Sequence, residues 1–165
     1  MTAADFTELL TEHQAMVFSI AWHYLRDRSV AEEVAQDVFL SLYKHLDGLE
    51  SRQHVTYWLR RAAANRAIDY GRRRRVRPQV SLDDVPELST PADPGDPFLG
   101  ERLRQLVASL PEKARMVVVL RYQEELGLEE IARILEIPVG TVKSQLQRAL
   151  AMLREKACRT IGVAI

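Results

Sequence analysis

Six polar side chains near the C-terminus, Thr141, Lys143, Ser144, Gln145, Gln147 and Arg148, are of the types that read nucleic acid. Glutamine bonds adenine through two contacts, arginine bonds guanine, and lysine meets a phosphate. A second concentration of cations lies upstream. Between Trp58 and Arg77 there are eight arginines (Arg60, Arg61, Arg66, Arg72, Arg73, Arg74, Arg75 and Arg77) against one acid, Asp69, a net charge of +7. A surface of that sign neutralises several phosphates, and its binding weakens steeply with salt. Each feature also has an ordinary structural reading. Charged outer faces are the rule on surface helices, and arginines at a helix C-terminus are favoured by its dipole, although four in a row, Arg72 to Arg75, exceed what a helix end requires. Other chemistry lacks its residues. The four histidines (His13, His23, His45 and His54) are not spaced as a metal pair, and there is no phosphate-cradling glycine loop and no Ser/His/Asp set, so neither an enzyme nor a cofactor is expected.

The elements that must carry these residues read as helices throughout. Phe6, Leu9, Leu10, Val17, Ile20, Ala21 and Tyr24 recur at three- and four-residue steps, which gives one apolar stripe. Ser29-Val-Ala-Glu32 has capping-box form and predicts the start of a second helix, with Val30, Val34, Val38, Leu42 and Phe39 facing inward and Gly48 at its exit. A third helix is predicted over about 53–73, with Val55, Trp58, Leu59, Ala62, Ala63 and Ile68 inside. Further helices are predicted at about 98–110 and 111–123, divided near Ser109-Leu-Pro-Glu112, which again has capping-box form. Two shorter helices, 128–136 and 139–157, are joined by Glu136-Ile-Pro-Val-Gly140. If Val142, Leu146, Ala149 and Leu153 face the core, the opposite face carries Thr141, Ser144, Gln145 and Arg148, flanked by Lys143 and Gln147. Two short helices and a tight turn are the sequence form of a DNA-reading helix-turn-helix, and equally of a helical hairpin with a solvated face. No strand-like alternation of useful length occurs, so the fold class is all-α.

At 165 residues the chain has room for one ordinary domain or two small ones, and its composition favours two. From Ser81 to Glu101 there are six acids and no Lys or Arg, a net charge of −6, and five of the seven prolines lie between positions 78 and 97. Such a stretch cannot be a regular helix, so about 76–98 is read as a linker between domains spanning 1–75 and 99–165. The 23 basic and 23 acidic residues sum to zero, yet the sum hides segments of opposite sign. The single cysteine, Cys158, asks for no oxidising compartment. The first ten residues lack the form of a secretory signal, and the longest aliphatic run, Met116 to Leu120, is far short of the roughly 20 residues a membrane helix needs. A cytoplasmic protein with no membrane insertion of its own is the expectation.

Ile-Pro-Val-Gly-Thr-Val-Lys-Ser (137–144), followed by Leu146, Arg148-Ala149 and Leu153-Arg154, closely resembles region 4 of the extracytoplasmic-function (ECF) group of the sigma-70 family. Leu110-Pro111, Arg115, Leu120-Arg121-Tyr122 and Glu130-Ile131-Ala132 fit the same pattern. Residues 31–40 (Ala-Glu-Glu-Val-Ala-Gln-Asp-Val-Phe-Leu) and Trp58-Leu59, with Ala63, Asn65, Asp69 and Arg72 to Arg75, resemble region 2 in the same order. The resemblance implies a dissociable subunit of bacterial RNA polymerase, built of a sigma-2 bundle and a sigma-4 helix-turn-helix domain on a flexible tether. It implies that the second helix docks on the clamp of core RNA polymerase through Glu33, Gln36, Asp37 and Phe39, the last being equally a core residue. The third helix and the loop before it would open the minus-ten element, with Asn65 and Arg66 at the upstream edge and Arg72, Arg73, Arg74 and Arg75 on the backbone. The loop 47–56 would hold a flipped base. Thr141, Lys143, Ser144, Gln145, Gln147 and Arg148 would meet the minus-thirty-five element of promoter DNA, and an anti-sigma factor is an expected partner.

This chain departs from the family at Gln145, Gln147, Leu150, Ala151 and Met152, where arginine, histidine or other basic residues are common. Fewer phosphate contacts follow, and Leu150 and Met152 become candidates for a protein contact, as does the apolar tail 161–165. The competing function is a helix-turn-helix activator that does not bind core polymerase. Residues 31–40 and 58–75 discriminate, because an activator has no reason to carry them.

Overall fold

The computed structural model describes residues 3–76 and 97–160, and every described element is helical. Helix α1 (Ala3–Leu25), α2 (Arg28–His45) and α3 (Arg52–Val76) form one bundle, with a single 3-10 turn at Leu46–Gly48. Helices α4 (Pro97–Ala108), α5 (Glu112–Val118), α6 (Leu128–Leu135) and α7 (Val139–Thr160) form the second, α5 running on into a π turn at Val119–Gln123. Most of the inferred linker, 77–96, and the apolar tail 161–165 lie outside the described residues.

Most of the apolar stripe of α1 is buried as its spacing predicts: Leu9, Val17, Ile20, Ala21 and Tyr24 share one core with Val34, Val38, Phe39 and Leu42 of α2 and Val55, Leu59 and Ala63 of α3, while Phe6 and Leu10 are only partly buried. On α3 the face turns slightly from the expected one, so that Ala64 and Ala67 are fully buried while Trp58, Ala62 and Ile68 are only partly so. At Gly71 the backbone of α3 passes close to Tyr24 and Leu25 of α1. A Cβ there would stand 3.2 Å from the Tyr24 ring, tighter than ordinary contact.

Two helix starts differ from the sequence expectation. Arg26 adopts the left-handed region (φ 55°), so the chain turns two residues early and Asp27 caps α2, its carboxylate accepting from the Val30 amide at 3.2 Å. Glu32 is then free of any capping role and pairs with Arg28 at 3.3 Å. At the second site Pro111 occupies the cap position of α5, and the Ser109 hydroxyl instead donates back to the Leu106 carbonyl at 2.6 Å, closing the end of α4.

The two bundles pack against each other. Met116, Val117, Val119, Leu120, Leu126, Ile131, Ile134 and Val142 join the core of α1–α3 in one continuous apolar cluster, while Leu110, Ala114, Val118 and Ala149 form a smaller one. Polar contacts ring this junction. Arg26 Nη2 donates to both Glu101 oxygens at 2.9 and 3.0 Å, Arg115 donates to the Tyr24 carbonyl at 3.2 Å, and Tyr57 donates to the Arg133 carbonyl at 3.1 Å.

Candidate nucleic-acid and polymerase interfaces

Helices α6 and α7 meet through three residues. Glu136 sits in the left-handed region (φ 55°), which stops α6, and the Ile137 amide donates to the Ala132 carbonyl at 3.1 Å. Pro138 then offers its carbonyl to the Thr141 and Val142 amides at 3.0 and 3.1 Å, which starts α7. Val142 and Ala149 are buried, and Leu146 and Leu153 pack against the core. The opposite face therefore presents Lys143, Ser144, Gln147 and Arg148 to solvent, with Thr141 and Gln145 half-buried beside them. Ser144 donates its hydroxyl to the Gly140 carbonyl at 3.0 Å, so toward any ligand it is chiefly an acceptor. Met152, offered above for a protein contact, packs instead against Leu110, Ala114 and Val118 of its own domain.

The arginines of α3 do not all face solvent alike. Asn65 is exposed and Arg66 half-buried. Arg72 donates from Nε and Nη2 to Glu112 Oε1 at 2.9 and 2.6 Å, and this hydrogen bond, more than the charge, pushes its pKa up. Arg73 lies over the Tyr70 ring, 5.4 Å from its centroid. Arg74 is tied to the start of α2, donating to the Leu25 carbonyl at 3.3 Å and standing 3.6 Å from Asp27. Arg75 belongs to α3, but its side chain is outside the described residues. Arg61 pairs with Glu136 in the helix-turn-helix at 2.5 Å. Cations suited to phosphate are thus held on acids of the other bundle, and a crevice of 420 Å³ separates Asn65, Asp69 and Arg72 from Lys113 and Ile137.

Two further ionisable groups are shaped by burial. Glu124 accepts from Ser19 Oγ at 3.3 Å, and its burial raises its pKa above the ordinary carboxylate value against the pull of that hydrogen bond and of Arg60. His13 is buried in the first bundle, which lowers its pKa.

On α2, Glu33 and Gln36 are exposed and Asp37 is half-buried, accepting a 2.7 Å hydrogen bond from the Tyr70 hydroxyl. Of the two readings of Phe39, its burial is that of a core residue: it is 6% exposed, its ring turned inward by the same spacing that buries Val38 and Leu42. Two large apolar residues of α2 that sequence reasoning passed over are exposed. Leu40 and Tyr43 are 63% and 56% exposed, seven and ten positions after Glu33 and on its side of the helix. Their signal was available as apolar residues falling at helical spacing from exposed acids. In the loop 47–56, Leu49 and Val55 are buried and Ser51 caps α3 through the His54 amide at 3.1 Å, which leaves Asp47, Glu50, Gln53 and His54 on the surface.

A helical bundle followed by a second bundle that ends in a helix-turn-helix places the chain among the helical DNA-reading proteins. Residues 9–77 match the family profile "Sigma-70 region 2", and residues 100–153 match "Sigma-70, region 4". The chain is similar to the ECF RNA polymerase sigma factor SigW of Bacillus subtilis, 31% identical over 92% of this chain and 88% of that protein. It is similar to the ECF RNA polymerase sigma-E factor of Escherichia coli, 34% identical over 92% of this chain and 85% of that one. Its fold is that of CnrH, solved with the cytosolic domain of CnrY (TM-score 0.70, 21% identity, 96% of this chain and 91% of that one). The same fold occurs in the sigma factor RpoE of Bartonella quintana, solved with the anti-sigma factor NepR (TM-score 0.74, 22% identity, 92% and 95% covered). The chain belongs to the sigma-70 family of RNA polymerase sigma factors, in its ECF group. No described helix is long and apolar enough to cross a membrane.

Proposed function

We propose that this sigma factor meets core RNA polymerase through the outer face of α2, with Glu33, Gln36 and Asp37 supplying acceptors and Leu40 and Tyr43 the apolar contact. The observation that carries the reading is the exposure of those two large side chains, Tyr43 resting edge-on against Phe6 of α1, on a helix face that also carries the exposed Glu33 and Gln36. Exposed apolar area of that kind, rimmed by charge, marks a docking site. Asn65 and Arg66 read the upstream edge of the minus-ten element, and Arg72, Arg73, Arg74 and Arg75 hold its backbone. Thr141, Lys143, Ser144, Gln145, Gln147 and Arg148 read the minus-thirty-five element. The chain works as a non-enzymatic specificity subunit in the cytoplasm, with residues 1–75 and 99–165 as its domains, and an anti-sigma factor is its inhibitor, as NepR partners the Bartonella protein.

Run-off transcription tests this against the activator alternative. Core polymerase with the full chain should give a promoter-dependent transcript that core alone does not. DNA binding by the chain, with no transcript and no association with core, would favour the activator.

A further inference from the structure

Tyr70 belongs to neither face described above, yet it touches a residue of each. Its hydroxyl donates to Asp37 Oδ2 at 2.7 Å across the packing of α2 on α3. Its ring carries the Arg73 guanidinium 5.4 Å from the centroid. The phenol's pKa is pushed up to about 12, first by the hydrogen bond to Asp37, then by burial, with the charges of Asp37 and Glu33 adding to it. It therefore stays a donor throughout the physiological range.

A phenol on a carboxylate is charge-assisted and fixes orientation as well as contributing energy. With one oxygen occupied by Tyr70, the half-buried Asp37 carboxylate is restrained in rotation, and its other oxygen remains able to accept. On the other side, a cation over an aromatic face loses much of its rotamer freedom, so Arg73 is presented at a set position on α3.

We propose that Tyr70 is a positioning residue for initiation: through one side chain it orients Asp37 for a basic group of core polymerase and Arg73 for the minus-ten backbone. This rests on the assignment of the α2 and α3 faces made above. It predicts that polymerase docking and promoter contact are coupled through position 70, although that side chain need touch neither partner.

The test uses the full chain with core polymerase, measuring core affinity and the salt dependence of promoter binding by the holoenzyme. Tyr70→Phe keeps the ring and removes the hydroxyl. It should weaken core binding by about three- to tenfold, the size expected for one hydrogen bond to a partly exposed charge, and leave the promoter salt slope unchanged. The same change in an Asp37→Asn background should cost much less, which a general loosening of the bundle would not produce. Tyr70→Leu removes the ring as well and should also lower the salt slope by up to about one unit, the loss of one phosphate contact. Wild-type core affinity in Tyr70→Phe, or an equal loss whether or not Asp37 is present, would overturn the proposal. A wild-type chain that does not bind core polymerase would overturn the face assignment and the proposal with it.

Discussion

Removing the carboxylate of Glu101 should loosen the two bundles from each other. The Arg26 and Glu101 side chains are 14% and 31% exposed, so their ion pair is partly shielded from water. Arg26 Nη2 bonds both carboxylate oxygens, and the guanidinium also lies 4.3 Å over the Trp22 ring. A hydrogen bond to a charged group contributes about 1.5–3 kcal/mol net, which is about 10- to 150-fold in an equilibrium constant. Glu101→Gln keeps one acceptor oxygen, so the lower end applies, and the ratio of packed to separated bundles should fall about tenfold. The consequence reaches DNA. While the bundles are packed, Arg72 is on Glu112 and Arg61 is on Glu136, and neither cation is offered to a phosphate at the same time. The exposed Cys158 is the chain's only cysteine, so energy transfer from a dye on it to one on a cysteine introduced at the exposed Gln14 reports the packing. Glu101→Gln should lower the transfer efficiency and raise the affinity for single-stranded minus-ten DNA. Unchanged efficiency in the variant, at low and moderate salt alike, would refute the reasoning.

Other outcomes follow from single sites. Leu59→Ala, at a position with no exposed surface, should destabilise the fold by about 2–5 kcal/mol, read as a lower midpoint in thermal unfolding. The double variant Leu40→Ala, Tyr43→Ala should lower that midpoint only slightly, through loss of the Tyr43 ring contact with Phe6, while weakening association with core polymerase at least tenfold in a binding titration, since a few apolar anchors dominate such interfaces. Burial raises the pKa of Glu124, so the fold favours its protonated form and carries a cost that grows as pH rises past the ordinary glutamate value and is complete above the raised one. Glu124→Gln should therefore raise the unfolding midpoint at neutral pH, and the advantage should disappear as pH falls below the ordinary glutamate value and both forms are neutral.

Long, strongly periodic segments were legible without coordinates. The positions of Val142, Leu146, Ala149 and Leu153 defined the buried side of α7, and hence its outer face, because a single stripe over about three turns leaves one rotation of the helix. Helix starts were less legible. Ser29 and Glu32 have the right types for a cap, but the left-handed turn at Arg26 puts Asp27 in place first, and local sequence does not reveal which of two good caps the chain reaches. The same competition sends Ser109 back onto α4. Least legible were pairings between distant residues. Arg72 with Glu112, Arg61 with Glu136 and Tyr70 with Asp37 are set by how helices pack, and a run of arginines read along the chain looks uniformly available when some of its members are already engaged. Phe39 shows the reverse limit: one residue of rotation on α2 separates a buried ring from an exposed side chain, and the exposed apolar residues of that helix are Leu40 and Tyr43.

The central claim is that the chain binds core polymerase through α2 and brings it to promoters read by both domains. Mapping transcript 5′ ends after raising the level of the wild-type chain, and of the Leu40→Ala, Tyr43→Ala variant, tests it most directly. The account predicts a new set of starts sharing two spaced upstream elements with the wild-type chain, and loss of that set with the variant. New starts of equal strength with both proteins, or starts sharing no paired elements, would contradict it.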